Sequence, residues 1–139
     1  MKRMRVFVLA AVVALALTAT AAAGMNAVRA SMTTTSTEPL VDTPWRYTIV
    51  VKDRAGKPLA AKARLQVLAG TLVVGCWKQT AIVQCSGATA GTWIPFRGKR
   101  TGVIAWPAQS AGVKLTFQAT VVTAGTSLKL RAPVTVHVS

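Results

Sequence analysis

Carboxylates are almost missing from this chain. Its 139 residues include three, Glu38, Asp42 and Asp53, against 17 Lys and Arg, for a formal net charge of +14. No Asp or Glu follows Asp53, and the single His is His137, near the end. Hydrolytic and transfer enzymes draw on acid–base pairs, on a nucleophile with a base, or on a bound metal. A Ser-His-Asp unit here would have only His137, on a valine-rich terminal segment, with Asp42 or Asp53 as its acid. Two Cys and one distant His are too few to cluster as metal ligands, and no Gly-rich motif is present to cradle a phosphate. The expectation is a protein that is not an enzyme and that uses no metal and no cofactor. An extracytoplasmic enzyme built on His137 is the remote alternative.

Amphipathic helical periodicity is also missing after residue 31. Before it stands a basic start, Met1 to Arg5, then an unbroken apolar run from Val6 to Leu17 and small residues at Ala19, Ala21, Ala22 and Ala23. That is the layout of a helical signal peptide within residues 1–30, with cleavage after Ala23 or after Ala30. It predicts a secreted or cell-surface protein. The alternative is an N-terminal helix left uncleaved as a membrane anchor, since Val6 to Ala23 approaches the length of a spanning helix. Residues 31–43 are rich in Ser and Thr and poor in apolar side chains, so they read as a flexible linker.

From Trp45 onward the chain alternates apolar and polar residues, the period of a half-buried strand. Lys114–Thr123 does so most cleanly, with Leu115, Phe117, Ala119 and Val121 on one face. Trp45–Lys52 and Lys62–Ala69 repeat the alternation, and turn residues punctuate the chain at short intervals. Leu72–Trp77 and Ile82–Cys85 read as a hairpin with Cys76 opposite Cys85. Thr92–Phe96 reads as a short edge strand because Pro95 removes a ladder donor, and Arg97–Arg100 as a basic turn. Gly102–Trp106, Ser127–Arg131 and Val134–Val138 complete the set, with Pro133 dividing the last two. Seven to nine short strands predict an all-β fold for residues 44–139. A two-sheet antiparallel sandwich is favoured and a small barrel is the alternative.

The run Tyr47-Thr48-Ile49-Val50-Val51-Lys52-Asp53-Arg54-Ala55-Gly56-Lys57-Pro58-Leu59 resembles the opening of bacterial immunoglobulin-like domains of the invasin and intimin type. The resemblance implies an immunoglobulin-like (fibronectin III-like) sandwich used for display, spacing or adhesion. It brings no catalytic or binding residues with it.

Two Cys in an exported chain read as a Cys76–Cys85 disulfide. Trp93 and Phe96 flank Arg97, Lys99 and Arg100, a mixture of aromatic and basic residues suited to gripping a polyanion. Outside the first 30 residues 13 bases still face three acids, a net of +10. Two functional classes follow. One is an exported non-catalytic immunoglobulin-like module with a structural, binding or adhesive role at or beyond the cell surface. The other is a basic polyanion binder using the Trp93–Arg100 loop, with cell-wall polymer, anionic lipid or nucleic acid as ligand. The partners expected are an anionic cell-surface polymer or an extracellular protein, with membrane contact only through an uncleaved signal segment. Specific nucleic-acid binding is not expected.

Overall fold

The computed structural model describes residues 28–78 and 81–138, so residues 1–27 of the expected signal segment, with the cleavage position after Ala23, lie outside the described residues, whereas Ala30 lies within them. The described chain forms β1 (Arg29–Thr34), β2 (Pro44–Lys52), β3 (Ala60–Ala69), β4 (Leu72–Lys78), β5 (Ala81–Gln84), β6 (Trp93–Arg97), β7 (Lys99–Ala105), β8 (Lys114–Thr123) and β9 (Thr126–Thr135), with one short 3-10 turn at Ala108–Ser110. Hydrogen bonding runs through the sheet in the order β1-β2-β7-β5-β4-β3-β8-β9, and β6 also pairs with β3. The ladders between these strands are antiparallel except β5 with β7, a parallel bridge from Ala81 to Ala105, and further parallel bridges outside the strands join Leu40 to His137, Val41 to Trp106 and Ala111 to Val136. The result is a mixed, nearly closed, barrel-like sheet, nearer to the small barrel held as the alternative than to the two-sheet sandwich favoured from sequence.

The corner at Gly98 is what makes the difference. β6 and β7 are nearly one continuous strand, and the expected basic turn at Arg97–Arg100 is a bend within it. β6 pairs with β3 and β7 pairs with β2, so the chain changes neighbours at Gly98. Its N–H bonds to the Leu59 carbonyl at 2.8 Å, and its carbonyl accepts the Val51 N–H at 2.8 Å. Its φ is +75°, and a Cβ there would lie 2.5 Å from the Cβ of Pro58, so only glycine makes this corner. A bend of this kind joins what would otherwise be two separate sheets.

Alternation seen in the sequence becomes the interior. Trp45, Tyr47, Ile49 and Val51 of β2, Ala63, Leu65 and Val67 of β3, and Leu115, Phe117, Ala119 and Val121 of β8 are all buried. Trp45, Tyr47, Trp106 and Phe117 form the centre, in edge-on or tilted contacts with centroids 5.2–6.3 Å apart. Tyr47 lies over the backbone of Gly102, where a Cβ would meet its hydroxyl at 2.3 Å.

The Ser/Thr tract expected as a flexible linker is ordered structure. Its first part is β1, in full antiparallel register with β2 from Arg29↔Lys52 to Thr34↔Tyr47. The remainder spans the gap toward the end of β9: Thr135 N–H donates to the Thr37 carbonyl, His137 N–H to Pro39, and Val41 N–H to His137. The Trp45 indole N–H donates to the Ser36 carbonyl at 2.9 Å. Poverty in apolar side chains does not stop a segment from being held through its backbone, whose donors and acceptors every non-proline residue carries.

Two further expectations are corrected. The β4–β5 hairpin is shifted by two residues, so Cys76 faces Val83 and Trp77 faces Ile82. Cys85 lies just past β5 and closes the disulfide with Cys76 across a Cα–Cα distance of 5.9 Å. The final two strands are one, β9, in which Pro133 faces Thr116. Because β8 is the only strand laddered to β9 among the described residues, the missing N–H of a proline is tolerated.

Candidate anion-binding face

The residues expected to act together as a basic loop are distributed by the corner to different surroundings. Phe96 turns inward against the core. Arg97 and Lys99 are exposed on either side of Gly98. Arg100, cross-strand from the buried Ile49, points to the inner side. It is half-buried, donates from Nε to the Tyr47 hydroxyl at 3.1 Å, and lies over the Trp77 ring at 5.5 Å. Trp77, alternating with Cys76, faces away from the disulfide. Trp93 alone of the aromatic candidates lies on the outer surface, and its neighbours come from β3.

That outer surface is built by β6, β3, β8 and β9. Residues in register share a side of the sheet. Trp93 pairs with Arg64, Arg64 with Thr120, and Thr120 with Lys129. One step along, Gln66 pairs with Gln118, and Gln118 with Arg131. The outer rows therefore carry Lys62, Arg64, Lys129 and Arg131, with Lys114 farther along β8, and no carboxylate. The Lys62 ammonium lies 4.9 Å and the Arg64 guanidinium 4.5 Å from the centroid of the Trp93 ring. Arg64 also donates from Nη1 to the Thr89 carbonyl at 3.2 Å, while its Nε is buried without a hydrogen-bond partner. Two cations gathered on one ring, with no acid to neutralise them, concentrate positive potential there.

Beside them runs a fixed polar chain. Gln66, 2 % exposed, gives its amide N–H groups to the carbonyls of Ala88 at 3.1 Å and Ala90 at 2.6 Å. Its oxygen faces the Gln118 amide nitrogen at 3.4 Å, and the Gln118 oxygen accepts from Arg131 Nε at 2.8 Å. Among the described residues there is no ion pair between a Lys or Arg and a carboxylate; the one His–carboxylate contact is exposed, His137 Nε2 to Glu38 Oε1 at 2.9 Å.

His137 thus meets Glu38 and not the aspartates considered from sequence. No group of three or more His, Cys, Asp and Glu is placed to hold a metal among the described residues. A cavity of about 470 Å³ under the hairpin is lined mainly by apolar side chains, among them Val67, Ile82, Trp106 and Leu115. Among the described residues no helix is long and apolar enough to cross a membrane.

Lys62, Arg64, Gln66 and Gln118 were visible as the polar faces of their strands. What the sequence does not contain is the strand order that places β9, with Lys129 and Arg131, on the same side of the sheet.

No protein-family model and no curated protein matches the sequence. Among solved structures the chain is similar to Spo0M, a sporulation control protein from Bacillus subtilis, at 8% identity and a TM-score of 0.47, over 81% of this chain and 50% of that one. It is also similar to the CARDB domain of a Pyrococcus furiosus protein solved with di-metal ions, at 17% identity and a TM-score of 0.43, over 78% of this chain and 86% of the other. A DUF4466 family protein from Parabacteroides merdae follows at 14% identity and a TM-score of 0.41, over 76% of this chain and 42% of that one. The chain spans about half the length of the sporulation protein and less of the Parabacteroides one. The invasin and intimin resemblance has no counterpart among family models.

Proposed function

We propose that the chain is an exported, non-catalytic binding module whose ligand is an anionic polymer at the cell exterior. The observation that carries this reading is the single-sign outer face, with Lys62 and Arg64 gathered on Trp93. A flexible polymer fits better than a membrane, because Trp93 is covered by its two cations and is not offered for insertion. The display role implied by the invasin-type resemblance requires an exported domain, and the Cys76–Cys85 disulfide suits an oxidising compartment. Processing after Ala23 leaves β1 whole, whereas processing after Ala30 would remove its first two residues.

Binding to polyphosphate, measured over a series of salt concentrations, tests the reading. Affinity should fall steeply as salt rises. The double substitution Lys62→Ser/Arg64→Ser should flatten the log–log slope by about two, roughly one per cation removed. The same loss from Arg97→Ser/Lys99→Ser with none from Lys62→Ser/Arg64→Ser would move the site back to the corner. Salt-independent binding, or none, would remove the reading.

A further inference from the structure

We infer that the outer face contains, besides its diffuse charge, one built seat for a single oxyanion, formed by Arg131 in the groove between β9 and the β3–β4 turn. The inference rests on the anionic-ligand reading and adds a defined site and ligand chemistry to it. The groove measures about 350 Å³ and is bounded by Leu68, Val73, Thr116, Gln118, Lys129 and Arg131.

The geometry of Arg131 is dictated from behind. Both amide hydrogens of Gln66 go to loop carbonyls, Ala88 and Ala90, which leaves only its oxygen to face Gln118. Gln118 must then present its nitrogen to Gln66 and its oxygen outward, where it takes the Arg131 Nε–H at 2.8 Å. Gln66 and Gln118 are 2 % and 4 % exposed, so water does not compete for these positions. An arginine held at Nε keeps its two Nη groups as a planar fork, and no partner takes them among the described residues. That fork matches the two oxygens of a carboxylate or phosphate. Lys129, two residues away on the same face, adds a second charge at about 7 Å along the strand. The opposite wall offers Leu68 and Val73, so the body carrying the oxyanion is uncharged.

Gln118 is a positioning residue in this site and Arg131 is the binding residue. The same fork takes phosphate or carboxylate, so both are used as probes: methyl phosphate and acetate, titrated into isotope-labelled full-length exported protein while the Arg131 Nε–Hε resonance is followed. Saturable movement of that resonance is expected with at least one probe, and the tighter of the two names the oxyanion. Arg131→Gln, followed at the Gln118 side-chain amide, should weaken the affinity about 10- to 100-fold. Gln118→Leu keeps the charge but frees the guanidinium; it should shift the Arg131 resonance in the absence of probe and weaken affinity several-fold. Non-saturating movement shared by all exposed arginines, unaltered in Gln118→Leu, overturns the seat. If polyphosphate binding persists in that case, the face stands without the seat; if it is absent as well, both readings fall.

Discussion

β3 carries buried residues on both of its faces, and they are buried for different reasons. Inward it presents Ala63, Leu65 and Val67; outward it presents Lys62, Arg64, Gln66 and Leu68. Leu65 and Gln66 are adjacent and almost equally covered, at 0% and 2% exposed. The inner residue is held by the area it removes from water, a non-directional gain of about 1.5–3 kcal/mol for a Leu. The outer residue is held by directed bonds to three partners, with little net gain but a penalty of about 1–3 kcal/mol if a buried partner is stranded. Burial by itself therefore does not distinguish a packing position from a position that orients other groups. The inner face is interchangeable in chemistry and strict in shape; the outer face is strict in chemistry.

The strongest test of that contrast is on the inner side. Trp106→Ala removes the ring that meets both Trp45 and Phe117 and should destabilise by about 3–5 kcal/mol in denaturant unfolding. Polyphosphate affinity of the folded fraction should stay as in the parent. If affinity fell along with stability, the two faces would not be separable. Next in size is the disulfide. Cys76→Ala/Cys85→Ala should cost about 2–3 kcal/mol, the usual effect of opening a loop this short. Here both sides of the comparison should respond, because Cys76 lies in register with Gln66 and the loop supplying the Ala88 and Ala90 carbonyls follows directly from Cys85. Oxyanion binding at Arg131 should weaken in this variant even at temperatures where it is fully folded.

A smaller effect is expected at Gln66. Gln66→Leu keeps volume and burial but leaves the two loop carbonyls to find other donors, at about 1–3 kcal/mol. The decisive readout is the pattern and not the amount: the Arg131 resonance should move as it does in Gln118→Leu, although residue 66 does not touch Arg131. A purely stabilising residue would lower the unfolding midpoint and leave that resonance in place.

How far the sequence carried this contrast depends on range. The inner face of β2, β3 and β8 was legible because alternation is local, and Trp45, Leu65 and Phe117 occupy the side their spacing predicts. The barrel-like closure was legible only as an alternative to the sandwich, since it turns on Gly98 lying against Pro58, some forty residues away in the chain. The same holds for the cationic face. Local spacing groups Trp93 with its sequence neighbours, Arg97 to Arg100. The corner sends those elsewhere, and strand pairing brings Lys62 and Arg64 instead. The Ser/Thr tract differs from a flexible linker for a related reason: side-chain hydrophobicity reports what a segment can bury, and this segment is held by what its backbone can bond.

That last distinction sets the smallest of the expected effects. Glu38 lies in the closing tract and makes a side-chain contact there, to His137 Nε2, yet both side chains are largely open to solvent, at 69% and 47%. An exposed pair of this kind contributes about 0–1 kcal/mol. The backbone bonds around it, Thr135 to Thr37, His137 to Pro39 and Val41 to His137, do not depend on the carboxylate. Glu38→Gln should therefore change the unfolding free energy by less than about 1 kcal/mol and leave amide exchange at His137 and Val41 as slow as before. Faster exchange at those two amides would show that the side chains hold the tract in place and that the backbone follows. The tract would then belong with the outer face of β3, where directed side-chain contacts set the structure, and not with the self-sufficient ladder of β1 and β2.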